Sequence, residues 1–473
     1  MCFAIRRGEA ERLDPKFIIH GGHQALHGVR TATLGSLTLQ EPDYGGPYRA
    51  VPLEGDAFKY IRVTDFGDFG IPEGHEYVGA DGFDPGYVLQ DGDLLFARSG
   101  ATAGKTFMYT RDIGPAIFAG YCIRFRFDPA RVLPGFVYFY TKTDRYQAWV
   151  CSIQRPSGQP NINKEEFKTF TIPIPDPPKQ RELLAALDAA RAVRRRKLVE
   201  AESLLGGLDA FVLDTLGLTL PPPDGRTVYA VRLRDVRQRF DPDYNSPRFR
   251  TLRAKIERGK FPSDSVGNIF YPIISGFAAG GDDQTDDPTV GVPHIRPLNI
   301  SNTAELHFDG TKMVPHSAVE PGDFLKQGEV LFNNTNSTAW VGKTVVFDAD
   351  RECACSNHIT RLTLIDKQHS PYYFAALFNA LRGLGYFGLL ATNFNNQAGV
   401  NVDTLKAVRF PVPDSATQKK IAAEVSRRRA AARRLREDAD HLWDDAKHRF
   451  EEALLGPEVK SHGPAAHTTK GDC

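Results

Sequence analysis

Two stretches of the chain carry side chains of one kind at alternating three- and four-residue spacing, the pattern of a helix with a single seam turned toward a partner. The first seam is Leu184, Leu187, Arg191, Arg194, Leu198, Ala201, Leu205, Leu208 and Val212, in a helix predicted from about Pro178 to about Leu216. The second is Ile421, Val425, Arg428, Ala432, Leu435, Ala439, Leu442 and Ala446, in a helix predicted from about Ala416 to about Leu455. Arginines interrupt both seams, so neither helix is apolar enough to stand alone. At about 1.5 Å per residue each spans about 60 Å. Each is the natural partner of the other, paired antiparallel, with the alanines of the second seam allowing close approach.

Ahead of each helix the pattern is different. Short apolar runs such as 93–96, 119–127 and 343–347 are broken by Gly, Pro, Asp and Asn, which reads as strands and loops with a few helices. Each region closes on a Pro-x-Pro segment, Ile172-Pro-Ile-Pro175 or Phe410-Pro-Val-Pro413, where proline excludes a central strand. The class is therefore α+β (mixed α/β).

The two halves repeat one another. Gln159-Pro-Asn-Ile-Asn-Lys-Glu-Glu-Phe-Lys168, then Phe170-Thr-Ile-Pro-Ile-Pro175 and Gln180, match Gln397-Ala-Gly-Val-Asn-Val-Asp-Thr-Leu-Lys406, then Val408-Arg-Phe-Pro-Val-Pro413 and Gln418. The offset is 238 residues (397 − 159), and it also links Gly104-Lys-Thr106 to Gly342-Lys-Thr344. With small slips upstream, Leu94-Leu-Phe96 answers Val330-Leu-Phe332, Tyr60-Ile-Arg62 answers His294-Ile-Arg296, and Arg12-Leu-Asp-Pro answers Arg239-Phe-Asp-Pro. An ordered series of this length is a tandem duplication. The expected domains are residues 1–176, a helix at 177–217, a second domain at 218–414, a helix at 415–456 and a disordered tail at 457–473.

Composition narrows the class without naming a function. At 41% hydrophobic and 25% charged, the 473-residue chain is an ordinary globular protein, and no apolar run is long enough to span a bilayer. Residues 1–12 lack the apolar core of a secretory signal, so no membrane partner and a cytoplasmic location are expected. Six cysteines make no disulfide framework. Cys353 and Cys355 have no second metal-spaced pair, and they read as small residues on one strand face. With 59 Lys+Arg against 58 Asp+Glu, bulk charge lends nothing to nucleic-acid binding, which would have to come from local patches. The arginine clusters 194–197 and 427–434 read either as solvated helix faces or as strips for phosphate or a partner subunit.

Several motifs fail on inspection. Gly100-Ala-Thr-Ala-Gly-Lys-Thr106 has three residues between its glycines where a phosphate-binding loop needs four, and Ser99 and Ser337 stand where the first glycine belongs. Asp176-Pro-Pro-Lys179 lacks the aromatic that an adenine-methylating loop stacks on its base. Ser275-Gly-Phe-Ala-Ala-Gly-Gly281 lacks the sequel of a dinucleotide loop and reads as a helix-capping end. No catalytic, cofactor or metal residue is expected. A duplicated protein-binding scaffold, and behind it a P-loop-like phosphohydrolase, are the alternative readings.

Two unlike globular units, each ending in a Gln-x-Asn-Ile-Asn-like segment, a Pro-x-Pro stop and a Gln-bearing long helix, resemble the specificity (S) subunit of type I restriction–modification systems. Asp14-Pro and Asp241-Pro resemble that family's domain openings, and residues 92–105 resemble its central strand and loop. The second copy departs from the pattern at 332–342, which is longer, and at Gly399, which stands where Asn161 aligns. The resemblance implies a non-catalytic subunit with two target-recognition domains that bind a bipartite, asymmetric site on double-stranded DNA. It implies as partners two copies of an adenine-N6 methyltransferase subunit, which would hold the S-adenosylmethionine, and restriction or translocase subunits. Base reading favours Arg, Lys, Asn and Gln on loops. The candidates are Arg62, Arg98, Lys105 and Arg155 in the first unit and Arg296, Asn333, Asn334, Lys343, Asn393 and Asn395 in the second. Arg62 and Arg296, which follow matched isoleucines, also suit a shared structural role, and Asn163 and Asn401 suit turn closure. Leu184, Leu187, Leu198, Leu205, Leu208, Ile421, Val425, Leu435 and Leu442 are the expected helix-pairing or docking residues. The stretches unmatched between copies, near 20–58, 65–90, 250–290 and 381–396, are where reading should differ.

Overall fold

The computed structural model describes residues 29–455 except 56, 68, 71, 73–74, 154–159, 221–227, 234–235, 237–239, 286, 288, 290 and 395–396. Arg155, Asn395 and the expected tail lie outside the described residues. The chain divides into two compact units, one of residues 1–196 with 438–473 and the other of residues 197–437. Each unit thus takes in its own globular copy, the first part of the helix that follows it, and the last part of the helix that follows the other copy.

In the first unit a four-stranded antiparallel sheet has the order Asp43–Tyr44, Cys122–Phe125, Leu94–Ala97, Thr106–Met108. In the second the order is Phe270–Ser275, Ile359–Leu364, Val330–Asn333, Thr344–Val346. The registers agree with the repeat. Phe96 faces Thr106 and Phe332 faces Thr344, while Leu95 faces Arg124 and Leu331 faces Arg361. A parallel pair adds to each: Lys59–Ile61 with Ala116–Phe118, and His294–Ile295 with Ala354–Cys355. The strands Thr171–Pro173 and Arg409–Pro411 pair only with Thr31–Thr33 and Ser263–Ser265, in two-stranded sheets where proline's missing N–H does no harm.

The matched motifs have matched work. Gly104 and Gly342 sit at φ +86° and +90°, a region that only glycine enters without strain, and each donates its N–H to the strand before it, to Ala97 O and Asn333 O. Asn163 and Asn401 cap the short helices Lys164–Thr169 and Val402–Ala407, accepting from the N–H of Glu166 and Thr404. Gln180 and Gln418 are fully buried in the first turn of the two long helices. Gln180 accepts from Leu133 N at 2.8 Å and donates to Pro175 O at 2.9 Å. Gln418 accepts from Ser370 N at 3.0 Å and donates to Pro413 O at 2.8 Å. Each glutamine fastens its long helix to the start of a domain helix, Pro134–Tyr140 or Pro371–Gly383.

The long helices follow their seams. Leu187, Ala201, Leu208 and Val212 are buried and the other members of the first seam half-buried; Ile421, Val425, Ala432 and Ala439 are buried and the rest of the second seam half-buried. The second helix is one element, Ser415–Leu455. The first is not the single helix expected: it ends at Gly206 and resumes as Leu208–Leu216, with Gly207 between. Two successive glycines carry the lowest helix propensity of any residue but proline. The segment 275–281 leads from the strand Phe270–Ser275 to the short 3-10 helix Gly281–Asp283, with Gly280 at its N-cap. Phe277 bridges in parallel to Ser356, and a Cβ on Gly276 would stand 2.0 Å from Cys355 O, so the glycine permits a close backbone approach. Cys353 and Cys355 are buried in one apolar cluster. No described helix is long and apolar enough to cross a membrane, and the described residues hold no cluster of side chains able to bind a metal.

Candidate nucleic-acid interface

The candidate residues separate into those committed to the fold and those at the surface. Arg62 is half-buried and chelates Asp65, Nη2 to Oδ1 at 2.8 Å and Nε to Oδ2 at 3.2 Å, while its N–H meets the same carboxylate at 2.7 Å. Arg296 repeats that cap with Asn299, its N–H to Oδ1 at 2.9 Å, and donates Nη2 to Gly310 O at 3.2 Å. The shared structural role expected for this pair is therefore present, since both residues cap the 3-10 turn that follows them.

Asn333, Asn334 and Lys343 are not at the surface. Asn333 is fully buried, donating to Trp340 O at 3.3 Å. Asn334 is buried against Asn357 O at 3.0 Å and Thr360 Oγ1 at 2.9 Å. Lys343 is buried with its ammonium 5.3 Å from the Trp340 ring centre, and burial, then Arg382, pulls its pKa below the usual lysine range. The physical reason is the strand–turn that they belong to: the Val330–Asn333 strand lies between Ile359–Leu364 and Thr344–Val346, and Arg382 of the helix Pro371–Gly383 donates to Ala339 O of the turn that follows at 3.3 Å. Their first-copy counterparts are more open. Lys105 is exposed, with Nζ 3.1 Å from Phe66 O. Arg98 lies over the Tyr44 ring at 4.9 Å, and its main chain links Tyr121 O to Ile162 N.

The long 332–342 segment of the second copy extends a feature common to both. Ser99 bridges to Asn161 in the first copy; Thr335 pairs with Gly399 in the second, the aligned position. There the bridge grows into a three-stranded sheet, Thr335–Asn336, Gln397–Gly399 and Thr392–Phe394. Asn393 is exposed on its outer strand.

One basic element was not singled out by residue. The helix Pro247–Arg258, within an unmatched stretch, belongs to a 14-residue segment with cations at 248, 250, 253, 255, 258 and 260. Two of these cap another helix: Lys255 donates to Thr219 O at 2.9 Å and Lys260 to Thr215 O at 3.0 Å, beside the C-terminus of Leu208–Leu216. Arg253 lies over Tyr244 at 4.4 Å. Arg258 is exposed and Arg250 half-exposed. The density of cations in so short a segment was the available signal.

The helix arginines are divided as well. Arg194 pairs with Asp440 at 3.0 Å, and Arg191 donates to Phe69 O at 2.9 Å, both within the first unit. In the second, Glu424 holds Arg427 and Arg428, each at 2.7 Å, and Arg433 meets Glu305 at 3.0 Å. Arg196 and Arg434 are exposed.

A domain-family model described as the type I restriction modification DNA specificity domain matches residues 51–199 and again 301–429, together more than half of the chain. A putative type I restriction enzyme MjaX specificity subunit from Methanocaldococcus jannaschii is 26% identical over 179 residues, which are 36% of this chain and 41% of that one. The chain thus spans less than half the length of that curated relative in the match. Among solved structures, a chain from a study of complex assembly and conformational transition of the type I R-M system is 17% identical, with TM-score 0.51, covering 91% of this chain and 98% of that chain. The HsdS subunit of Thermoanaerobacter tengcongensis is 16% identical with TM-score 0.36, covering 91% of this chain and 97% of that one. Two matches of one domain, on the two copies that the repeat defines, place this chain in the type I restriction–modification DNA specificity family.

Proposed function

We propose that this chain is the non-catalytic DNA-recognition subunit of a type I restriction–modification complex. Its two globular copies read the two halves of a bipartite, asymmetric site on double-stranded DNA. The long helices run antiparallel, space the readers, and dock two methyltransferase subunits, which carry S-adenosylmethionine; restriction or translocase subunits join the same assembly. The observation that carries this reading is that one framework is built twice, on sequences that differ around it. Sheet register, glycine turn, asparagine cap and buried glutamine recur. The basic helix and the three-stranded extension are described for the second copy. Two readers of identical surface would demand a symmetric site; unlike surfaces read unlike half-sites.

Within that reading, Lys105 and Asn393 are the exposed members of the candidate set, and Arg98, Arg62 and Arg296 are partly open. Arg155 and Asn395 belong to the same proposal. Arg250 and Arg258 join it as phosphate contacts, which fix register without sequence information. Exchange of residues 1–176 for the corresponding domain of a relative tests the two-reader arrangement. Mapped by the position of methylated adenine, the exchange should alter one half of the motif and leave the other half and the spacing unchanged. A change in both halves would contradict it.

A further inference from the structure

The two units are built on the same plan, yet the seat where each globular copy receives the far helix carries opposite charge. The 238-residue offset places Asp144 against Arg382, Lys447 against Asp209 and Arg145 against Gly383. In the first unit Lys447, on the second long helix, pairs with Asp144 of the first copy at 3.7 Å. In the second unit Asp209, on the resumed first helix, is faced by Arg382 of the second copy and by Arg429; burial pushes its carboxyl up, and those two guanidinium groups oppose the rise. At these positions acid on the domain with base on the helix becomes base on the domain with acid on the helix. The first seat also holds Glu451 of the helix, which accepts from Arg145 N at 3.3 Å and has Leu213 as its counterpart.

Shape differs at the same seats. Trp443 packs edge-on against Phe69 at 4.6 Å and near Phe139 at 6.1 Å. Its counterpart is Leu205, and with the 234-residue offset of the Arg62 and Arg296 caps, the counterpart of Phe69 is Thr303. Phe450 packs at a tilt against Phe136 and Tyr140, whereas Val212 occupies that place in the second unit. A Cβ on Gly383 would stand 2.5 Å from Asp209 Oδ2, and the first copy has Arg145 there. The second unit adds a further constraint: Arg382 and Lys343 share the Trp340 ring, at 5.1 and 5.3 Å.

We infer that this charge reversal, seconded by shape, selects which helix each copy accepts, so that the two halves of one chain close on each other and a second chain is refused. Each half contains every element of a seat, so a half could in principle receive the same half of another chain. In that exchange Asp209 would face Asp144, or Lys447 would face Arg382 and Arg429 with Lys343 close by. A single exposed ion pair stabilises little. The discrimination comes chiefly from the wrong arrangement at Asp209, which would lose both guanidinium groups and meet a second carboxylate, while Lys447 would keep only Asp444 of its own helix, 2.8 Å away, against two guanidinium groups.

The test uses the full chain. Asp209→Lys with Lys447→Asp reverses the helix charges and leaves the domains alone. Size-exclusion chromatography with light scattering should show the two-chain species raised by about tenfold or more, and the melting temperature should fall by about 3–6 °C. Adding Asp144→Lys, Arg382→Asp and Arg429→Gln, the last to remove the second guanidinium that faces position 209, should restore both quantities to those of the parent. That five-residue variant also decides the matter if the two-residue variant fails to fold: its recovery supports the inference and its failure to recover overturns it. Parental mass and melting temperature in the two-residue variant would overturn it. So would a lowered melting temperature without a two-chain species, because the charges would then steady each seat without choosing its occupant.

Discussion

Replacing Glu329 with alanine should destabilise the second unit by about 3–5 kcal/mol, the cost of stranding one member of a buried ion pair. Glu329 and Arg361 are both almost fully buried and are joined twice, Nε to Oε2 at 3.1 Å and Nη2 to Oε1 at 3.0 Å. The remaining guanidinium donors go to Gly322 O at 2.8 Å and Phe324 O at 2.9 Å, and the carboxylate also accepts from Lys326 N at 3.0 Å. The pair therefore pins the loop at 322–326 to the central strands. Urea unfolding of the full chain followed by hydrogen exchange would locate the loss, which should fall on the strands Val330–Asn333 and Ile359–Leu364. The first copy answers with Asp93, which takes Arg126 through both oxygens at 2.8 Å, so Asp93→Ala should carry a comparable penalty in the first unit. A loss below about 1 kcal/mol at Glu329 would mean that water reaches the stranded arginine.

The second large effect is expected from Phe450→Ala. Phe450 is buried on the last turns of the second long helix, between Phe136 at 5.5 Å and Tyr140 at 6.4 Å, and its core cluster includes Trp443 and Leu454. Truncation of a buried phenylalanine costs about 3–5 kcal/mol through lost burial and the cavity left behind. The loss should appear as early exchange of amides in 438–455 and in the helix Pro134–Tyr140. The second unit should be almost unaffected, because its seat is filled by Leu208, Val212 and Leu216. Equal loss in both units would show that they unfold as one body.

Much of this architecture was legible in the sequence because it is repetition. A constant offset predicts a shared turn, and Gly104 and Gly342 make that turn; a three–four spacing predicts a buried seam, and no member of either seam is exposed. What escaped depends on tertiary partners. Gln180 and Gln418 were visible as a matched pair, but their work lies 47 and 48 residues away from them, at Leu133 and Ser370. Trp443, Phe450 and Leu454 serve a domain surface in addition to the helix seam, so a heptad reading passes over them. The break at Gly207 follows from the glycine pair, whose low helix propensity outweighs the longer periodicity.

The surface was harder to read. Asparagine and lysine on an expected loop suggest contact with DNA, yet Asn333, Asn334 and Lys343 are buried, Asn334 with hydrogen-bond partners at Asn357 and Thr360 and Lys343 near the Trp340 ring. The near-neutral net charge concealed a strongly basic helix at 247–258, since composition averages over local patches. The family assignment rests on the framework rather than on the reading surface.

The central claim is that this chain alone supplies the sequence choice of a methylating complex. Co-expressing it with its methyltransferase subunit and mapping N6-methyladenine across the host genome tests that most directly. The account predicts a bipartite, asymmetric motif that is methylated with the chain present and lost when it is omitted. Formation of a stable complex without any new methylated motif would contradict it.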